Sequence, residues 1–285
     1  MANENKPVEE NKKVIAGKEV HRINDVDLVD AASDVADSYL RLQTNISFAR
    51  LDKEIRNYAL TSANEAEGKT TTICNLAYLY AQKGLKVAVV DLDLRRPSVH
   101  RLMKLQDNLG VVDYVKGDVS SPADICQHSE KGGFDVYVPG SHTPFPGQVF
   151  ASPRLKEFYA ELQKEYDFVL TDTPPILVLN DALQIAPLVE GFVVVCAQHV
   201  TRKRDLIDTL DNMTGKGIPV LGIYMTMCDN YRDSGHGYGY GYSYSYNHGY
   251  GYKGTYRHGG YAHGGYAHGG YSQQAVEQEE KKEDK

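Results

Sequence analysis

Hydrophobic positions along this chain change period several times, and the changes mark out its elements. Between residues 31 and 50, Val35, Tyr39, Leu42 and Ile46 recur every three or four positions, the stripe of a helix. An apolar run at 58–60 predicts a strand, followed by a tight loop. Beyond the loop Ile73, Leu76, Ala77 and Tyr80 fall at i, i+3, i+4 and i+7, a second helix that Gly84 stops. Apolar runs at 87–90, 134–138, 168–171, 192–197 and 220–226 read as buried strands. Gly110 and Gly117 bracket a short helix, and Ser152 with Pro153 behind it opens one to about residue 164. Asn180 or Asp181 caps another to 188, and 204–213 forms the last. Strands alternating with helices predict an α/β fold: a mostly parallel sheet with helices on both faces. Residues 1–29 show no sustained period and read as a flexible arm, and from His236 onward the composition changes completely. The expected organisation is an arm (1–30), one α/β domain (31–230) and a disordered tail with a charged end (231–285).

Composition narrows the setting. Of 285 residues 41% are apolar, and with both ends polar this leaves one core of about 200 residues, ample for a single domain. A formal net charge of −7 argues against a nucleic-acid partner, which calls for a basic face. The four cysteines are scattered, and Cys74 and Cys196 sit within apolar patterns, as buried reduced thiols do. No apolar run approaches the ~18 residues of a membrane span, and residues 1–13 do not read as a signal peptide. The expectation is a cytoplasmic protein without direct membrane insertion, reaching the inner face of the membrane only through a partner.

Chemistry concentrates at the ends of the predicted strands. Ala63, Asn64, Glu65, Ala66, Glu67, Gly68, Lys69 and Thr70, with Thr71 behind them, fit the phosphate-binding pattern G-x-x-x-x-G-K-[ST] with Ala at the first position. A strand–loop–helix unit aims loop amides and a helix N-terminus at an anion. Gly68 lets the backbone approach a phosphate, Lys69 reaches the β- and γ-phosphates, and the Thr70 hydroxyl can ligate Mg²⁺. The reading is a P-loop NTPase fold that binds ATP with Mg²⁺. Two carboxylate segments complete it at strand ends, where open α/β sheets hold ligands. In VVDLDLR, Asp91, Asp93 and Arg95 lie two residues apart and can share a face. In FVLTDTPP, Asp172 stands where a Walker-B carboxylate holds Mg²⁺ or its waters. Three carboxylates exceed what Mg-nucleotide binding needs, so one is free to handle an attacking group.

The tail supplies a candidate for that group. Eleven of the chain's 21 tyrosines lie there: Tyr238, Tyr240, Tyr242, Tyr244, Tyr246, Tyr250, Tyr252, Tyr256, Tyr261, Tyr266 and Tyr271, spaced by Gly, Ser, His and Asn. Such a segment cannot bury a core. Composition alone leaves phosphate acceptor and adhesive spacer both open, and the phosphate-binding head beside it favours the acceptor.

These segments together resemble the bacterial tyrosine autokinases of the capsular and exopolysaccharide type, in their soluble Gram-positive form, over about residues 35–271. TSANEAEGKTTT is similar to the family's Walker A, VVDLDLRRP to its Walker A′ and FVLTDTPP to its Walker B, and the tyrosine cluster completes the set. The resemblance implies that Asp91 orients or deprotonates the incoming tyrosine and that Asp93 and Asp172 hold Mg²⁺. It further implies that Lys69 neutralises charge on the transferred phosphoryl group, with Arg95 in support. It also implies a membrane adaptor of the polysaccharide chain-length regulator type, a cognate tyrosine phosphatase, and self-association for phosphorylation in trans. The chain departs from the family where members carry E-x-x-R-x-x-R on the first helix. Asp37, Leu40 and Gln43 stand there, which speaks against ring assembly by that route. Thr226 replaces an Asn that relatives place near the base. Two other classes remain: a Min/Par-type positioning ATPase, whose extra loop lysine is replaced here by the Asn64–Glu65 region, and a non-catalytic scaffold switched by ATP.

Overall fold

The computed structural model describes residues 12–15, 18–21, 28–30, 33–50 and 52–228. The first elements are a hairpin of β1 (Lys12–Ile15) and β2 (Lys18–His21), paired antiparallel. No periodicity announced these strands inside the expected arm. The tail and its eleven tyrosines lie outside the described residues.

The body is a seven-stranded sheet. Its strands are β3 (Asn57–Ser62), β4 (Val87–Asp91), β5 (Gln127–Ser129), β6 (Phe134–Tyr137), β7 (Phe168–Asp172), β8 (Phe192–Ala197) and β9 (Val220–Thr226), in the order β5-β6-β4-β7-β3-β8-β9. All neighbours pair in parallel except β5 with β6. The parallel strands carry near-continuous apolar runs because both faces are covered. On one face α1 (Asp34–Ser47) and α2 (Lys69–Ala81) pack over Tyr58, Leu60, Val87, Val89 and Leu170. On the other, α4 (Val111–Lys116), α5 (Pro146–Phe150) and α6 (Pro153–Glu165) cover Ala88, Val90 and Val169, while α3 (Val99–Met103) packs with α2 on the first face. Beside them α7 (Asp181–Ile185) and α8 (Lys203–Thr214) border Ala59, Phe192 and Val194.

Helix α2 is buried nearly all round, because α1 lies over the side that the sheet leaves open. That arrangement refines the first-helix stripe: Tyr39, Leu42 and Ile46 are buried as expected, but Ala36 takes the place read for Val35, which is exposed. Gln43 is buried too, its amide donating to the Leu76 carbonyl and accepting from Lys83. The predicted cap holds at Ser152, and the structure adds one at Ser33. Ser33 accepts from the Ala36 N–H ahead of α1, and Ser152 from the Arg154 N–H ahead of α6. Asn180 occupies the cap position of α7 without a side-chain bond, and the helix passes into a 3-10 turn at Ala186–Leu188.

Candidate active site

Strand alternation decides what meets at the sheet's C-terminal edge. Val87 and Val89 of β4, and Phe168 and Leu170 of β7, face α2, so Asp91 and Asp172 point to that side as well. The same face receives the start of α2, entered through the phosphate loop at residues 63–68. Ala66 and Gly68 both adopt left-handed backbone, with φ +61° and +90°. A Cβ on Gly68 would stand 3.3 Å from the Thr226 methyl, so the position needs glycine for both conformation and space. The first turn of α2 has no side-chain cap, which leaves its N–H groups for an anion.

Around that N-terminus the candidate residues converge. Lys69 is buried, and the Thr70 hydroxyl donates to Asp172 Oδ2 at 2.6 Å while lying 2.8 Å from Ser98 Oγ. Asp172 Oδ1 is buried without a hydrogen-bond partner. Burial pushes the Asp172 carboxyl up to about 6 against the opposing pull of the Lys69 charge and the Thr70 hydroxyl. These features fit Mg²⁺ with a nucleotide phosphate: a hydroxyl and a carboxylate together, one oxygen of it unsatisfied, beside a lysine and an uncapped helix start. Among the described residues no three His, Cys, Asp or Glu side chains form a metal cage, and Mg²⁺ ordinarily takes one or two carboxylates with the phosphates themselves.

The Walker A′ residues divide. Asp91 is fully buried. Its Oδ1 accepts from the Asp93 N–H at 3.1 Å and its Oδ2 from the N–H groups of Ser98 and Val99, each at 3.0 Å, closing the entry to α3. Burial and then the neighbouring Asp172 charge raise it well above the ordinary range, against those last two N–H bonds. Asp93 is half-buried and accepts from the Arg96 N–H at 3.0 Å. Its carboxyl is raised by burial and opposed in part by Lys69. Arg95, expected to support the phosphoryl group, turns instead to the buried Asp181, with Nε 2.7 Å from Oδ2. Asp181 carried no sequence signal beyond a capping role. Arg96, in turn, pairs with Glu65 of the phosphate loop.

The remaining loop residues brace the loop. Ala63 is buried, Asn64 donates from Nδ2 to Asp205 Oδ2 at 3.0 Å, and Thr71 gives its carbonyl to Asn75. Thr226, read as a base-side position, donates its hydroxyl to the Glu67 carbonyl at 2.8 Å. Pairings such as Arg95–Asp181 and Thr226–Glu67 were invisible in the sequence, because they join segments 86 and 159 residues apart.

Comparison with known proteins decides the family. The model of the AAA domain family matches residues 59–202. The tyrosine-protein kinase YwqD of Bacillus subtilis is 34% identical over 190 residues, covering 67% of this chain and 80% of that one. The chain belongs to the bacterial tyrosine kinases of the capsule type. By class it is a protein-tyrosine kinase. CapB of Staphylococcus aureus, 29% identical, covers 67% of this chain and 83% of its own. The solved kinase domain of Escherichia coli ETK superposes with a TM-score of 0.68 at 27% identity, over 76% of this chain and 84% of that domain. Among the described residues no helix is long and apolar enough to cross a membrane.

Proposed function

We propose that this kinase transfers the γ-phosphoryl group of ATP to tyrosines of its own C-terminal cluster, Tyr238 through Tyr271, in trans between copies, within capsular or exopolysaccharide synthesis. The observation that carries this reading is the Thr70–Asp172 pair beside Lys69 at the uncapped start of α2, with Asp172 Oδ1 unsatisfied. Mg²⁺, when bound with the nucleotide, would neutralise charge developing on the transferred group. Thr70, Asp93 and Asp172 would hold it. Lys69 draws the β- and γ-phosphates onto the helix start. The tyrosine Oη then attacks the γ-phosphorus, its proton passes to Asp91, and ADP departs. A membrane adaptor of the polysaccharide chain-length regulator type would recruit the kinase to the inner face of the membrane, and a tyrosine phosphatase would reset it.

A second assignment exchanges the two Walker A′ carboxylates. Asp91 is fully buried and held by three backbone N–H groups, whereas Asp93 is half-buried and senses Lys69, which favours Asp93 for the incoming hydroxyl.

The test is incubation of the full chain with γ-labelled ATP and Mg²⁺, followed by phosphotyrosine detection. The wild type should label and Lys69→Met should not. Persistent phosphotyrosine on that variant overturns the site. Hydrolysis of ATP without any phosphotyrosine points instead to a positioning ATPase, and binding without turnover to a switched scaffold.

A further inference from the structure

Glu67 is a carboxylate placed inside a loop whose business is to attract anions, and it is fully buried there. A negative group in that position opposes phosphate binding unless it is turned away and consumed by partners. Both oxygens are consumed. Oε1 accepts from the Thr201 hydroxyl at 2.6 Å, and Oε2 from the Asn64 N–H at 3.2 Å, three residues back. The same i to i−3 reach closes a capping box at a helix start. The Thr201 hydroxyl itself accepts from the Ala197 N–H at 2.8 Å, so a polarised chain runs from the end of β8 into the phosphate loop. From the far side, Thr226 fastens the Glu67 carbonyl.

Between the two ends of the Glu67–Asn64 reach stands Ala66, in left-handed backbone at φ +61°. That conformation is unfavourable for any residue with a Cβ, alanine included. Something must hold it, and the Glu67 brace closes the segment around it. We propose that Glu67 is a positioning residue of the phosphate loop, locked by the Thr201 hydroxyl so that residues 64–67 keep the conformation that receives the nucleotide phosphates. It touches no phosphate in this role. The inference rests on the nucleotide site proposed above and adds to it the device that keeps the loop preorganised. Preorganisation raises affinity by removing the ordering that binding otherwise demands.

The experiment measures equilibrium binding of a fluorescent ATP analogue with Mg²⁺ to the full chain, alongside thermal melting of the nucleotide-free protein. Glu67→Gln keeps the shape of the side chain but sets an amide N–H₂ against one of the two donors. Thr201→Val removes the hydroxyl. Each should weaken binding by about tenfold, the weight of one charge-assisted hydrogen bond, and the double variant should be no worse than the weaker single one. Thr201→Ser should bind as the wild type does. Ala66→Gly in the Glu67→Gln background should recover part of the loss, because glycine adopts the left-handed conformation without a brace. A residue that serves stability alone would instead be made worse by the added chain freedom. Folded single variants that bind within twofold of the wild type, strictly additive losses, or no recovery with Ala66→Gly each overturn the proposal. Should Glu67→Gln fail to fold, the Thr201 pair decides by the same criteria. A wild type that binds the analogue while both variants match it removes this inference and leaves the proposed function standing. A wild type that does not bind it removes both.

Discussion

Asp91 and Asp172 are register partners on neighbouring parallel strands, so the ends of β4 and β7 bring two buried carboxyls to one face of the sheet. Neither can ionise cheaply. Burial is the larger cause at both, and at Asp91 the Asp172 charge adds to it. A carboxyl raised in the folded state contributes stability that is fully present below its unfolded value, here the ordinary 3.8, and is lost as pH rises through the folded value, about 6 for Asp172. The nucleotide-free protein therefore carries a strained site at neutral pH.

Asp172→Asn should relieve that strain while abolishing phosphorylation. At pH 7.5 the variant should be more stable than the wild type by about 1–3 kcal/mol, a rise of several degrees in melting temperature for a domain of this size. The advantage should shrink as pH is lowered from 7 to 5, where the wild-type carboxyl becomes neutral. Melting curves of the nucleotide-free proteins across that range check it, and an advantage independent of pH removes the electrostatic account.

The division of labour between the Walker A′ carboxylates is measurable. If Asp91 serves the tyrosine hydroxyl, Asp91→Asn should bind Mg-ATP nearly as the wild type does and lose transfer by about 10²–10⁴-fold. Asp93→Asn should then raise the Mg²⁺ requirement together with a loss of rate. The opposite pattern assigns the hydroxyl to Asp93, as its greater exposure suggests. Equal loss of nucleotide affinity in Asp91, Asp93 and Asp172 variants leaves neither assignment.

Glu190 gives the reverse pH signature at the opposite end of the sheet. Its Oε2 accepts from the N–H groups of Arg56 and Asn57 at 2.7 and 3.0 Å, and its Oε1 from Lys53 at 2.7 Å, fixing the entry to β3. Burial works to raise this carboxyl, but Lys53 and the two backbone donors outweigh it and hold it below the ordinary 4.5. Its stabilisation is present above that value and lost as pH falls through the depressed one. Glu190→Gln should cost about 1–2 kcal/mol at pH 7, read from urea midpoints, with the gap closing toward pH 3.

What the sequence disclosed follows from how local each signal is. Six of the sheet's seven strands and both long helices of the phosphate-loop face were legible because buried parallel strands read as continuous apolar runs and amphipathic helices as stripes. Asp172 of β7 and the loop at 63–70 were singled out from their sequence pattern, and the structure brings Asp172, Lys69 and Thr70 together at the start of α2. The short pieces did not: α3 and α5 span five residues each, too few for a period, and β5 is a three-residue edge strand of polar composition. The partnership of Arg95 with Asp181 was hidden for another reason. A capping aspartate and a buried ion-pair partner look alike until the sheet brings residues 86 positions apart together. The bond from the Thr226 hydroxyl to the Glu67 carbonyl, across 159 positions, was hidden for the same reason.

The last prediction concerns the tail, whose tyrosines lie outside the described residues. Ser234 to Tyr271 is 38 residues, and a fully flexible Gly-rich chain of that length would average roughly 30–40 Å end to end. A distal tyrosine therefore has the reach for its own site or a neighbour's, so reach alone does not separate cis from trans. In such a chain Tyr238 through Tyr246, nearest in sequence to the domain, would have the least slack to bend back, and the prediction is transfer between copies. Each phosphate adds about −1.5 to −2 charges, so several on one tail would repel it from a chain already at −7 and loosen the assembly. The expected outcome is labelling of an Asp91→Asn kinase with an intact tail by an active kinase whose eleven tail tyrosines are Phe, at a rate that rises with concentration, and with no single tyrosine essential. An intact tail that stays unlabelled in that mixture, while the wild type labels itself at a rate independent of concentration, establishes transfer in cis.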